Sequence, residues 1–222
     1  MKIVDMSVTL LDHMGSDLSV VNAARVSFDR VSEYTEAGTL NAKDQKLIQY
    51  LASHGHWSPF AHCFAQFRIK APIFVARQLI KHQIGLSWNE VSRRYVDSEP
   101  EFYIPSMRRR AENVKQGSDD ELIYHHEDLH DEWIKAAKAS LAAYKNALDL
   151  NLAPEVARSI LPQFTMTEWI WSGSLMAFAR VCNQRMEKSA QKESGMVAAG
   201  IEAEMTRLFP YSWKALRKDS EA

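Results

Sequence analysis

The chain has 222 residues, 46% of them hydrophobic, enough for one sizeable core and a single domain over residues 1–222. A formal net charge of -1 lacks the overall excess that marks nucleic-acid or membrane-surface binders. Cys63 and Cys182 are the only cysteines, neither in a CxxC pair, and neither a long apolar run nor a signal-peptide pattern is present, so the expectation is a cytoplasmic protein without a disulfide framework, zinc site or membrane span.

Residues 2–11 alternate loosely and predict a strand. Ser16 or Asp17 opens a short helix over 16–28, with Val20, Val21, Ala24 and Arg25 inward or along its edge. Residues 43–54 predict an amphipathic helix that turns Leu47, Ile48 and Leu51 to the core and ends at Gly55. His54, His56 and His62 follow at spacings, and with no nearby carboxylate, that match no zinc pattern, so no metal is assigned. Residues 62–70 alternate as a strand and lead into a helix whose first turn holds Pro72 and whose apolar surface is Ile73, Phe74, Val75, Ala76, Leu79 and Ile80. Four-residue spacing stacks Arg77 with Lys81 and Gln78 with His82. Gly85 breaks the helix, and a nearly all-polar loop follows: Ser87, Asn89, Glu90, Ser92, Arg93, Arg94 and Tyr95. An apolar helix that delivers cations and amides into such a loop has two readings, a bound anion or a solvated helix end with a charged turn.

Residues 96–106 read as an irregular or strand-containing connection, and the cationic run at Arg108, Arg109 and Arg110 reads as solvated surface rather than a phosphate site. Residues 119–149 predict the longest helix, with Asp119 and Asp120 near its N-terminus and His125, His126 and His130 on a polar outer face. Pro154 restarts a helix that carries Arg158 and closes at Pro162. Residues 163–171 suit a strand or a helix equally. A helix capped near Ser172 then reaches Arg185, with Arg180 on a neighbouring face, and a last helix runs from Ser189 to about Phe209. Neither GxGxxG nor GxxxxGK[ST] occurs, so Rossmann and P-loop folds have no support. The separated arginines Arg77, Arg94, Arg158 and Arg185 suit an anionic, hydrogen-bonding small molecule.

The stretch from Lys81 to Tyr95 resembles the signature of the flavin-dependent thymidylate synthases, which is Arg-His-Arg followed by Ser-x-Asn-Glu-x-Ser-x-Arg-Tyr. Ser87, Asn89, Glu90, Ser92, Arg94 and Tyr95 match its second half; Lys81-His82-Gln83 stands in place of Arg-His-Arg, and the spacer before Ser87 is one residue longer. His56 and Ser58 resemble the family's flavin-holding segment, although Ala61 stands where many members carry Glu. The runs around Ser27, Arg158, Ser174–Arg185 and Gln191–Glu193 are similar to the family as well, so the resemblance spans nearly the entire chain; Ser27 is read first as a helix end and second as a site residue.

The resemblance implies an α+β fold in one domain, a mixed or antiparallel sheet core flanked by long helices. It implies reductive methylation of dUMP to dTMP with FAD, NADPH and 5,10-methylenetetrahydrofolate, no covalent protein nucleophile, and a homotetramer with active sites across subunit interfaces. Residue by residue it implies Arg185 as the catalytic group. Gln78, Glu90, Ser92, Arg94, Arg158 and Arg185 would hold dUMP. Ser58, Lys81, His82, Gln83, Glu90, Ser174 and Arg180 would hold FAD. Lys81 keeps a charge without a guanidinium fork and Gln83 loses one. Because the flavin half of the signature is altered, a nucleotide-binding homologue without catalysis is the alternative; a nucleic-acid binder using Arg108–Arg110 is disfavoured by the charge.

Overall fold

The computed structural model describes residues 1–96, 98–112 and 117–218. Its elements are β1 (Lys2–Ile3), β2 (Ser7–Met14), α1 (Asp17–Arg25), α2 (Ala42–Ser53), β3 (Phe64–Pro72), α3 (Ile73–Leu79), β4 (Leu86–Glu90), β5 (Glu101–Phe102), β6 (Arg108–Arg110), β7 (Ser118–Leu122), α4 (His126–Asp149), α5 (Pro154–Ala157), β8 (Met166–Ser174), α6 (Leu175–Arg185), α7 (Lys192–Leu208) and α8 (Pro210–Leu216). Tight 3-10 turns lie at Val26–Phe28, Ser58–His62 and Arg158–Ile160.

The centre is an antiparallel sheet in the order β2-β3-β8-β4. Alternation along β3 and β8 sends Phe67, Ile69, Trp169 and Trp171 to one face, with Phe67 opposite Trp171 and Ile69 opposite Trp169. Phe178 of α6 meets both Phe67 and Trp171 edge-on, at ring centroid separations of 5.1 and 5.5 Å. α7 crosses the same face so closely at Gly200 that a Cβ there would lie 2.8 Å from Val8 of β2. Val20 and Val21 of α1, and Ile48 and Leu51 of α2, complete this core. A second, smaller cluster of Phe102, Ala137 and Leu141, with Phe164 against it, seats α4. The α+β architecture expected from the resemblance is the one observed.

Two buried carboxylates tie distant segments together. Asp17, the first residue of α1, accepts from the Tyr211 and Ser212 N–H groups at 3.0 and 2.8 Å, so it caps the start of α8. Asp44 is fully buried and receives Arg25, Ser32 Oγ at 3.1 Å and Asn41 Nδ2 at 2.8 Å, which satisfies its charge.

Several elements differ from the sequence-based expectations. The strand expected over 2–11 is two strands, the second of which extends to Met14. Pro72 ends β3 and is the N-cap of α3 rather than a first-turn residue, and α3 stops at Leu79, so Lys81 and His82 lie in the turn beyond it. Leu86–Glu90, read as polar loop, is the sheet's fourth strand, in which Leu86 and Trp88 alternate with Ser87 and Asn89. The helix expected from 119 begins at His126; Ser118–Leu122 pairs instead with Arg108–Arg110, acidic against basic. The segment over 163–171 resolves as strand β8, which runs through Ser172 and gives way to α6 at its N-cap Ser174. The helix expected to end at about Phe209 does so, as α7, but it is not the last, since α8 follows from Pro210. Residue 97 of the expected connection lies outside the described residues.

Candidate active site

The period of a strand divides the signature. Leu86, Trp88 and Glu90 fall on the core face of β4, while Ser87 and Asn89 fall on the opposite face, across from Ser172 and Ile170 of β8. Trp88 stacks on Trp169 with centroids 4.2 Å apart and planes 18° apart, which holds β4 against β8. Trp88 Nε1 also donates to Glu90 Oε2 at 3.2 Å, and Thr167 Oγ1 donates to Glu90 Oε1 at 2.7 Å. Glu90, the last residue of β4, therefore accepts at both of its carboxylate oxygens.

Around Glu90 the structure gathers one half of the expected set. Glu90, Arg93, Arg158 and Thr167 line a cleft of about 120 Å³ beside Ile73. Arg158 reaches it from the 3-10 turn that follows α5, whose start is set by Pro154. Ser92 and Arg94 share one tight turn, in which the Arg94 N–H donates to Ser92 Oγ at 3.3 Å and the Arg94 Nε lies 3.3 Å from Glu155. These groups offer guanidiniums and a hydroxyl to an anion.

The other half forms at the far end of α3. Arg185, in the last turn of α6, donates from Nε to His82 Nε2 at 2.9 Å and from Nη2 to the Gln78 carbonyl oxygen at 3.3 Å. Gln78 and His82 thus meet on Arg185 although the helix does not continue far enough to stack them. Burial, then the charges of Arg185 and Arg180, push His82 down from 6.5 to about 4. A neutral ring that accepts at Nε2 carries its proton on Nδ1. Burial also lowers Arg185 below the usual arginine value, and its Nη1 makes no hydrogen bond among the described residues. The guanidinium is half-buried and aimed, with part of its fork unused.

Gly85 sets the route from α3 to β4. Its φ of +75° favours glycine, and an added Cβ would meet Ala177 at 3.2 Å and Ser174 Oγ at 3.3 Å. Ser174 is buried, its N–H donates to the Gly85 carbonyl at 3.1 Å, and its hydroxyl accepts from the Ala177 N–H at 3.2 Å as the cap of α6. Arg180 Nη2 donates to the Ile84 carbonyl at 2.6 Å. Lys81 and Gln83 are exposed beside this turn, and Ser58 is exposed at the head of its own 3-10 turn. The turn after α3 thus presents an ammonium, a guanidinium and an amide, donors suited to an anionic ligand. Ser27 is exposed in the 3-10 turn after α1, and no group of His, Cys, Asp and Glu among the described residues is placed to hold a metal.

A buried pair between β6 and α7 escaped the sequence reading. Arg108, expected at a solvated surface, donates to Glu193, which is 1% exposed, at 2.5 Å; Arg109 and Arg110 are exposed as expected. The similarity of Gln191 and Glu193 to the family was the available signal, but nothing local linked them to Arg108.

No hydrogen bond or ion pair among the described residues joins the Arg185 cluster to the Glu90 cluster; α3 borders both, through Gln78 and Ile73.

Residues 9–211 match the family model described as thymidylate synthase complementing protein. The chain is 37% identical over 213 residues to the flavin-dependent thymidylate synthase of Kosmotoga olearia, covering 94% of this chain and 88% of that protein. It is 35% identical to that of Thermosipho africanus, covering 94% and 90%. Among solved structures, a UMP/dUMP methylase, PolB, from Streptomyces cacaoi bound with 5-Br dUMP superimposes with a TM-score of 0.86 at 28% identity, over 97% of this chain and 96% of that one.

Proposed function

The chain belongs to the flavin-dependent thymidylate synthases, and from that membership we propose how its own residues perform the methylation of dUMP. The reading takes FAD as the flavin, NADPH as its reductant and 5,10-methylenetetrahydrofolate as carbon donor, in one catalytic domain over residues 1–222 located in the cytoplasm. Two buried free thiols, Cys63 and Cys182, accord with that compartment.

The observation that carries the residue assignment is the posture of Arg185. His82 and the Gln78 carbonyl engage Nε and Nη2, so the remaining N–H groups are presented in a fixed direction. C5 of uracil must become nucleophilic, and negative charge then develops on the N3, O2 or O4 side. A preorganised guanidinium stabilises that charge without a covalent nucleophile. Neutral His82 serves it as an acceptor and adds no competing charge. Reduced flavin supplies hydride when bound; Lys81, His82, Gln83, Arg180, Ser58, Ser174 and Glu90 are the residues assigned to it. Ser174 accepts from the Ala177 N–H as the cap of α6, which leaves its O–H to donate there.

Gln78, Glu90, Ser92, Arg94, Arg158 and Arg185 are assigned to dUMP, with the arginine forks on phosphate. The division into two unconnected clusters within one chain supports active sites completed across subunits, in a homotetramer.

The test is anaerobic turnover with FAD, NADPH, dUMP and methylenetetrahydrofolate, with dTMP quantified. The expected result is product that vanishes without FAD and falls by about a thousandfold in Arg185→Ala. Tight dUMP binding with neither flavin nor product would overturn this reading in favour of a nucleotide-binding homologue that has lost catalysis.

A further inference from the structure

A chain of side chains runs from the β6–β7 hairpin to Gln78, and its chemistry has a direction. Glu193 lies in the first turn of α7 and is almost wholly enclosed. Arg108 Nη2 donates to one of its oxygens at 2.5 Å and Gln191 Nε2 to the other at 3.2 Å. Gln191 Oε1 then accepts from Gln78 Nε2, and Gln78 Oε1 accepts from the buried hydroxyl of Ser194 at 3.2 Å.

An ionised carboxylate only accepts. The nitrogen of Gln191 must therefore face Glu193, its oxygen must face Gln78, and the nitrogen of Gln78 must face Gln191. One charge orients two amides in series, although a glutamine amide alone has no preference between its two ends. Arg108 is the cation paired with that buried carboxylate. Each Gln78 terminus keeps unused capacity, a second N–H and a second lone pair, on the border of a cavity of about 830 Å³ that Arg108, Gln191 and Glu193 also line.

We propose that Arg108 and Glu193 are positioning residues for nucleotide recognition: through Gln191 they fix which end of the Gln78 amide meets dUMP. The proposal rests on the assignment of Gln78 to dUMP, and it makes the β6–β7 hairpin, outside every family motif in this chain, a determinant of substrate affinity. Ser194 does not fix the orientation, because a hydroxyl can donate or accept.

The test is dUMP binding by calorimetry, together with KM and kcat, in Glu193→Gln, in the charge-neutral double variant Arg108→Gln/Glu193→Gln, in Arg108→Lys and in Gln78→Ala. Replacing carboxylate by amide preserves shape but lets Gln191 and Gln78 turn over. Both Glu193→Gln and the double variant are expected to weaken dUMP binding about tenfold and to raise KM by the same factor, with kcat and flavin content retained. Arg108→Lys, which keeps the charge, is expected to restore wild-type KM. The double variant leaves no buried unpaired charge, so it reports on amide orientation where the single change costs stability. Wild-type dUMP affinity in the folded double variant, with Gln78→Ala impaired, would overturn the proposal alone; unimpaired binding in Gln78→Ala would overturn the assignment beneath it.

Discussion

His82 gives the sharpest quantitative test of the Arg185 cluster. Its ring is half-buried and faces two guanidiniums, which with burial bring it from 6.5 to about 4. The folded value lies below the unfolded one, so as pH falls the unfolded chain takes up a proton first. The contribution to stability is complete above about pH 6.5 and is lost as pH falls through about 4. At about 1.4 kcal/mol per pH unit the interval corresponds to about 3 kcal/mol, and solvent screening of a half-exposed ring reduces this to about 1–2 kcal/mol. Histidine-ring 15N NMR, assigned with His82→Gln, reads the titration directly, and urea unfolding across the same interval reads the stability. Arg185→Gln is expected to move His82 upward but not fully to 6.5, because burial is the larger cause. A wild-type His82 that titrates near 6.5, or one indifferent to Arg185→Gln, would refute the described geometry.

Three further outcomes follow from the packing. Asp44→Ala strands Arg25 beside a buried void and is expected to cost about 3–5 kcal/mol in urea unfolding. Gly173→Ala would place a methyl 2.4 Å from Leu86 Cδ2 and 2.7 Å from the Gly85 carbonyl oxygen, and backbone cannot yield as a side chain does. A loss of about 1–3 kcal/mol is expected, with flavin absorbance lost on desalting as Gly85 and Leu86 shift. Burial pushes Cys63 up to about 11 and Cys182 higher still, so Ellman's reagent at about pH 8 should label neither thiol until guanidinium is added.

Much of the architecture was legible because local pattern and tertiary demand agree. Val20, Val21, Ile48 and Leu51 point inward as helical spacing requires, and Asp17, Pro154 and Gly55 stand at or beside helix ends. The disagreements lie where partners come from far away. Ser118–Leu122 has the acids of a helix start, yet Arg108–Arg110 recruits it as a strand; Leu86–Glu90 alternates over only five residues at the head of a polar run, yet β8 supplies its hydrogen bonds. Of the candidate site, the motif named residues but not their grouping. That Gln78 and His82 would converge on Arg185, while Glu90 joins Arg158, depends on where α3 stops and where α6 ends, and neither boundary has a strong local marker.

The indole stack beneath β4 makes this enzyme its own optical instrument. Trp88 lies face to face with the buried Trp169, edge-on to Trp171, and hydrogen-bonded to Glu90, a residue assigned to both ligands. Two parallel rings 4.2 Å apart couple electronically, so their near-ultraviolet ellipticity depends on their mutual tilt. A molecule that takes the Glu90 oxygen now held by the Trp88 N–H would free the indole, and a change in that ellipticity is the expected sign. If Glu90 holds dUMP as proposed, occupancy of that half-site is expected to register in intrinsic tryptophan signals, readable in the unlabelled protein.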